Sequence, residues 1–139
     1  MSKLELQPGL RTHMARVRLW WRGLLRSFGY AWQGIRWTVR TQRNAQIHVL
    51  ALLAVIGAGF LFGVSAGEWL ALILAMALVL ALELLNTAIE AVVDLAMPQR
   101  HPLAKRAKDA AAGAVLIAAL GAAAVGLIVF GPKMWAWLP

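Results

Sequence analysis

Apolar residues recur every three or four positions from Leu10, at Leu10, Met14, Val17, Trp21, Leu24 and Phe28, while Arg11, Arg16, Arg18, Arg22 and Arg26 fill the positions between. That period is helical, and basic residues opposite Leu and Trp describe a helix lying in a membrane interface. Residues 1–9 read as a polar tail, with Pro8 and Gly9 predicting a break. Gly29 and Gly34, set among aromatics and arginines, predict an interfacial elbow that completes a region spanning 10–45. The stretch 41–48 is too polar for lipid and predicts the entry to a first span over 47–62. A short turn at 63–68 follows, then a second helix over 69–96, a loop bounded by Pro98 and Pro102, and a third helix over 103–130 that Gly131-Pro132 ends. Each apolar run is long enough to cross a hydrocarbon core of roughly 30 Å. The expected fold is an all-α membrane protein of three transmembrane helices and one interfacial helix, in a single domain of 139 residues.

Composition sharpens this reading. The chain is 61% hydrophobic and 14% charged, which excludes an ordinary soluble domain. It has no cysteine, so thiolate catalysis and cysteine-ligated metal are excluded. The net charge of +8 is unevenly spread, with nine Lys or Arg in residues 1–48, four in 97–108, and Lys133 alone near the C-terminus. That asymmetry reports membrane topology rather than a nucleic-acid partner. The positive-inside rule puts the N-terminus and the 97–108 loop in the cytoplasm, and the 63–68 turn and C-terminus outside. Trp69, Trp135 and Trp137 then mark the outer interface, and Trp20, Trp21, Trp32 and Trp37 the inner one. Small residues repeat every four positions at Ala114, Ala118, Ala122 and Gly126, which lets helices approach closely and predicts a homo-oligomer.

The chemistry concentrates in the second span. Glu83, Asn86, Glu90 and Asp94 fall on one helical stripe about three turns long. Carboxylates within a bilayer are costly and usually functional; the plainer alternative is a polar seam between helices. Glu83 lies fourteen residues past Trp69, roughly 21 Å along the helix. It therefore sits in the inner part of the membrane, with Glu90 near the cytoplasmic surface. A stripe leading from lipid to cytoplasm suits a reaction between a membrane-dissolved and a cytosolic substrate. His101, Lys105, Arg106, Lys108 and Asp109 form a second cluster on the same side. Carboxylates that can hold Mg²⁺ beside cations that offset phosphate charge are what phosphoryl transfer needs, although a topology-setting positive loop would look similar. No soluble nucleotide-binding or protein-kinase motif is present.

The run Glu83-x-x-Asn86-Thr87-Ala88-Ile89-Glu90-x-x-x-Asp94, followed by His101 and Ala107-Lys108-Asp109, resembles the small prokaryotic diacylglycerol kinase family, which includes the undecaprenol kinases. The likeness runs from about Phe28 through the third span. It implies a homotrimer with active sites at protomer boundaries and ATP as co-substrate with Mg²⁺. By the same resemblance Glu83 would be the general base, Glu90 would bind the metal that bridges the phosphates, and Asn86 would position the reacting groups. Lys108 and Asp109 would contact the nucleotide, Tyr30 and His101 would contribute, and Asp94 would be a supporting carboxylate. Where family members often carry a metal-binding Glu, this chain has Gln42, a poorer Mg²⁺ ligand. Either the metal binds more weakly or another group takes that role. The stretch Gln42-Arg43-Asn44-Ala45-Gln46-Ile47-His48 is closer to the E-R-N-x-R-I-H of undecaprenol kinases than to the proteobacterial diacylglycerol kinase version.

The expected function is transfer of the γ-phosphoryl of ATP to a lipid alcohol, undecaprenol before diacylglycerol, at the bacterial inner membrane. Two rivals are a small ion or proton carrier using Glu83 and Glu90 as a relay, and a non-catalytic subunit whose stripe only packs an oligomer.

Overall fold

A computed structural model describes residues 8–137, with side chains from Arg16 onward except Val17. Of the expected tail at 1–9, residues 1–7 lie outside the described residues, while Pro8 and Gly9, expected as a break, open α1 instead; the side chains of Leu10, Met14 and Val17 in the amphipathic pattern are not among those described. Four α-helices follow in order: α1 Pro8–Thr41, α2 Arg43–Leu61, α3 Ala66–Ala96 and α4 Pro102–Trp135. The last three are long and apolar enough to cross a membrane. The chain divides into two compact units, Met1–Trp37 and Thr38–Pro139.

In the first unit α1 runs straight through Gly29 and Gly34, so the expected elbow is absent. Glycine in a helix costs about 1 kcal/mol relative to alanine but does not by itself break one. Neither glycine adopts positive φ. The helix exposes Trp20, Trp21, Phe28, Tyr30 and Trp32 along with Arg16, Arg18, Arg22 and Arg26. The interruption falls instead at Gln42, whose extended backbone (φ −104°, ψ 118°) separates α1 from α2 without a side-chain cap.

In the second unit α2 and α3 form an antiparallel pair. Gly63 supplies the one left-handed residue of the turn, with φ 59°. Ser65 and Glu68 then cap α3 reciprocally: the Ser65 N–H donates to Glu68 Oε2 at 2.6 Å and the Glu68 N–H to Ser65 Oγ at 3.4 Å. This capping box starts the helix at Ala66, three residues before the expected Trp69. Glu68 also meets Lys133 of α4 at 3.2 Å, tying both helices at that end. Beneath it Val64, Leu72 and Val129 form a small apolar core with Trp69, Val55, Val125 and Phe130.

Helix α3 packs lengthwise on α4. Leu72, Met76 and Val79 are buried at helical spacing on α3, and Ala111, Val115, Ala118 and Val129 answer from α4. The small-residue stripe is partly consumed here, since Ala118 is buried and Ala114, Ala122 and Gly126 are half-buried within one protomer. Leu116, Ile117, Leu120, Leu127 and Ile128 remain exposed on the other face. Gly131-Pro132 does not end α4 as expected. Pro132 forfeits one N–H, yet its carbonyl accepts the Ala136 N–H at 3.1 Å and the helix continues to Trp135.

Candidate active site

The buried apolar stripe of α3 turns polar without changing face. After Leu72, Met76 and Val79 come Glu83, 2% exposed, then Thr87 at 3% and Asn86 at 7%. Glu90 is half-buried and Asp94 exposed, so the stripe climbs from the helix-packed interior to open surface. Helix periodicity alone produces this: four residues at three- and four-residue spacing cannot leave the face that packing has chosen.

Two of these groups are locally satisfied. Thr87 Oγ1 donates to the Glu83 carbonyl at 2.9 Å, and Asn86 Nδ2 donates to Glu90 Oε1 at 3.2 Å. Glu83 Oε2 and Asn86 Oδ1, by contrast, are buried and have no hydrogen-bond partner. A buried unsatisfied acceptor costs roughly 1–3 kcal/mol. Two of them on adjacent turns mark a place where donors from another molecule would be accepted.

The Glu83 carboxylate faces the backbone of Ala45 and has His48 and Glu90 as electrostatic neighbours. Ala45 is the third residue of α2, in the first turn, where helix N–H groups lack intrahelical partners and the dipole favours negative charge. Gln42 gives α2 no side-chain cap, so Glu83 is the anion at that helix start. The contact of Gly59 with Trp69 sets the antiparallel register at the far end of the pair.

Beyond the stripe lies an open cleft of about 710 Å³ between the end of α3, the 97–101 connection and the start of α4. Its walls include Asp94, Arg100, His101, Lys105, Lys108 and Asp109. Lys108 Nζ pairs with Asp94 across the two helices, and Lys105 Nζ pairs with Asp109 one turn along α4. His101 is the N-cap of α4, its Nδ1 accepting the Leu103 N–H at 3.2 Å. Asp94 is eleven residues from Glu83, about 16 Å of helix, with Glu90 between them.

The arrangement thus gathers Glu83, Asn86 and Glu90 on one stripe, and Asp94, His101, Lys108 and Asp109 around one cleft at its end. Tyr30 is exposed on α1 in the first unit. The sequence reading had not singled out His48 beside Glu83, or Arg100 in the cleft wall. His48 carried a signal, being one helical turn from Ala45 on the same polar stretch; Arg100 carried only its place between two prolines.

No group of three or more His, Asp or Glu among the described residues is arranged to hold a metal ion. Mg²⁺ commonly binds through one or two carboxylates together with substrate phosphates. Glu90, half-buried on the stripe, is a carboxylate of the kind such an ion takes.

Residues 29–130 match the family model for prokaryotic diacylglycerol kinase. The chain is 50% identical over 109 residues to the undecaprenol kinase of Bacillus subtilis, covering 78% of this chain and 89% of that one. It is 53% identical over 112 residues to a diacylglycerol kinase of Synechocystis, covering 80% of this chain and 64% of that one. With the diacylglycerol kinase of Escherichia coli it shares 40% over 114 residues, 81% of this chain and 88% of the other. A buried carboxylate stripe rising to a cationic cleft, and likeness to these relatives over most of their length, have one explanation: the chain belongs to the prokaryotic diacylglycerol kinase family of lipid kinases.

Proposed function

We propose that this protein transfers the γ-phosphoryl group of ATP to the hydroxyl of a bilayer-dissolved lipid alcohol, with undecaprenol favoured over diacylglycerol. The observation that carries the reading is Glu83: a carboxylate buried in an apolar helix, with Oε2 free to accept an O–H, in line along α3 with a cationic cleft. A lipid hydroxyl reaches that depth through the membrane, and a nucleotide enters at the cleft. Glu83 Oε2 takes the hydroxyl proton as the lipid oxygen forms its bond to the γ-phosphorus. The bond from phosphorus to the β–γ bridging oxygen breaks, and its electron pair leaves on ADP. Asn86 Oδ1 and Nδ2 orient the reacting groups and Glu90. Lys108 and its neighbours around the cleft offset phosphate charge. Glu90 and Gln42 are the groups to hold Mg²⁺, which when bound draws charge off the phosphate oxygens.

The acceptor preference rests on the 50% identity to the Bacillus subtilis undecaprenol kinase across 89% of its length, and on the Arg43-Asn44-x-x-Ile47-His48 stretch. The exposed apolar face of α4 supports assembly as a homotrimer, and the charge asymmetry supports a bacterial inner-membrane location with a cytoplasmic N-terminus and an external C-terminus. Transfer of labelled phosphate from Mg-ATP in mixed micelles, offering undecaprenol and diacylglycerol separately, tests the reading. A labelled lipid phosphate that is lost in Glu83→Gln supports it and names the acceptor. No product from either lipid, with the protein folded, rejects it.

A further inference from the structure

The arginines of α1 are sorted by face. At 3.6 residues per turn Arg18, Arg22, Arg26 and Arg36 fall within a sector of about 80°. Trp21, Leu24, Phe28, Trp32 and Ile35 occupy a second sector of about the same width, centred about 120° around the helix from the first. All four arginines are exposed, and among the described residues none of them pairs with a carboxylate. Nearby sequence could not supply one, since no Asp or Glu occurs between Glu5 and Glu68. A helix that rests its apolar sector in a bilayer holds this flank at the level of the headgroups. The arginine stems then lie along the apolar boundary with the guanidinium groups among phosphates.

Membrane topology does not account for the row. A positive-inside signal counts cations within roughly 15–20 residues of a span and is indifferent to the face that carries them. Arg18 and Arg22 stand farther than that from Arg43, where α2 begins. Anchoring does not account for it either, because three other helices are long and apolar enough to cross the membrane. Arg18, Arg22 and Arg26 also precede residue 29, where the likeness to the lipid kinase family begins. We propose that this flank of α1 binds the phosphate headgroups of anionic phospholipids, so that the protein keeps such lipids beside it in preference to zwitterionic ones. A guanidinium fork takes a phosphate bidentately and cannot lose its charge, whereas a choline headgroup brings its own cation to compete. Each arginine near an anionic surface is worth about a fivefold preference. Nothing in this inference requires phosphate transfer.

The test reconstitutes the full-length protein in phosphatidylcholine bilayers and measures, by spin resonance, how spin-labelled phosphatidylglycerol and phosphatidylcholine partition to the protein. Wild type prefers phosphatidylglycerol by about two- to threefold, the preference of the row being averaged over all the lipid in contact with the protein. High salt reduces it. Arg22→Gln with Arg26→Gln lowers the preference by about half, at unchanged helix propensity and with an unaltered unfolding temperature. Arg16→Gln with Arg106→Gln removes two exposed cations that do not belong to the row, and leaves the preference as it was. An equal loss in that second pair overturns the proposal, since general charge would then suffice. Wild-type protein with no preference between the two lipids also overturns it, and points to an acidic protein segment as the partner of the row. A chain that fails to phosphorylate any lipid still gives the same partition result, so the two readings fail separately.

Discussion

Glu83 is held in place by packing that has nothing to do with its charge. It takes the next position on the stripe of Leu72, Met76 and Val79, and the first turn of α2 closes over it. Glu83→Gln keeps that shape and removes the proposed proton acceptor. Phosphate transfer should fall by about 10²- to 10⁴-fold, with the unfolding temperature little changed, as measured by labelled-phosphate assay and thermal melts in detergent. Gln42 has the opposite potential. A carboxylate there, at the start of α2, would add an oxygen ligand of the kind Mg²⁺ prefers. Gln42→Glu should lower the Mg²⁺ concentration that gives half-maximal rate, read from a metal titration at saturating ATP; an unchanged midpoint would remove Gln42 from the metal site. The residue types and spacings of Glu83, Asn86 and Glu90 were legible in the sequence because a helix converts spacing directly into a shared face. The free lone pairs on Glu83 Oε2 and Asn86 Oδ1 were not, since they depend on which partners the neighbouring helices fail to supply.

At the scale of elements, long apolar runs declared α2, α3 and α4, but their ends followed different rules. The start of α3 was set by a capping box whose two hydrogen bonds begin the helix ahead of Trp69, the first large apolar residue of the run. The break between α1 and α2 fell at Gln42, a residue with no intrinsic tendency to stop a helix, rather than at Gly29 or Gly34. A tertiary contact accompanies the break: the backbone of Ala45, in the first turn of α2, faces the Glu83 carboxylate, which no local pattern displays. Close approach of α2 to α3 depends on Gly59, where a Cβ would lie 2.6 Å from Cζ2 and 3.1 Å from Cζ3 of Trp69. The indole is itself hemmed by Phe60, with ring centroids 5.2 Å apart, and cannot easily give way. Gly59→Ala should therefore destabilise the protein by about 1–3 kcal/mol, seen as a lower unfolding temperature. A matched Gly57→Ala, whose Cβ meets nothing within 4 Å, should instead be neutral or slightly stabilising.

The whole molecule has a direction as well as a fold. Its two kinds of end differ in charge: the 62–65 turn has no Lys or Arg, and the 97–101 connection leads into Lys105, Arg106 and Lys108. For a chain whose chemistry joins a lipid to a nucleotide, the cleft end must face the compartment that holds the nucleotide, so orientation is part of the functional claim. The absence of cysteine from the sequence makes this directly measurable. Gly67→Cys labels the turn end, where a side chain meets nothing within 4 Å, and Gln99→Cys labels the exposed cleft end. A membrane-impermeant thiol reagent added to intact cells permeable only at the outer membrane should modify the cysteine at 67 and spare that at 99. Inverted inner-membrane vesicles should reverse the pattern. Labelling of position 99 from outside would place the cationic cleft away from cytoplasmic ATP, and the lipid kinase reading would then fail for a reason that no substitution at Glu83 could reveal.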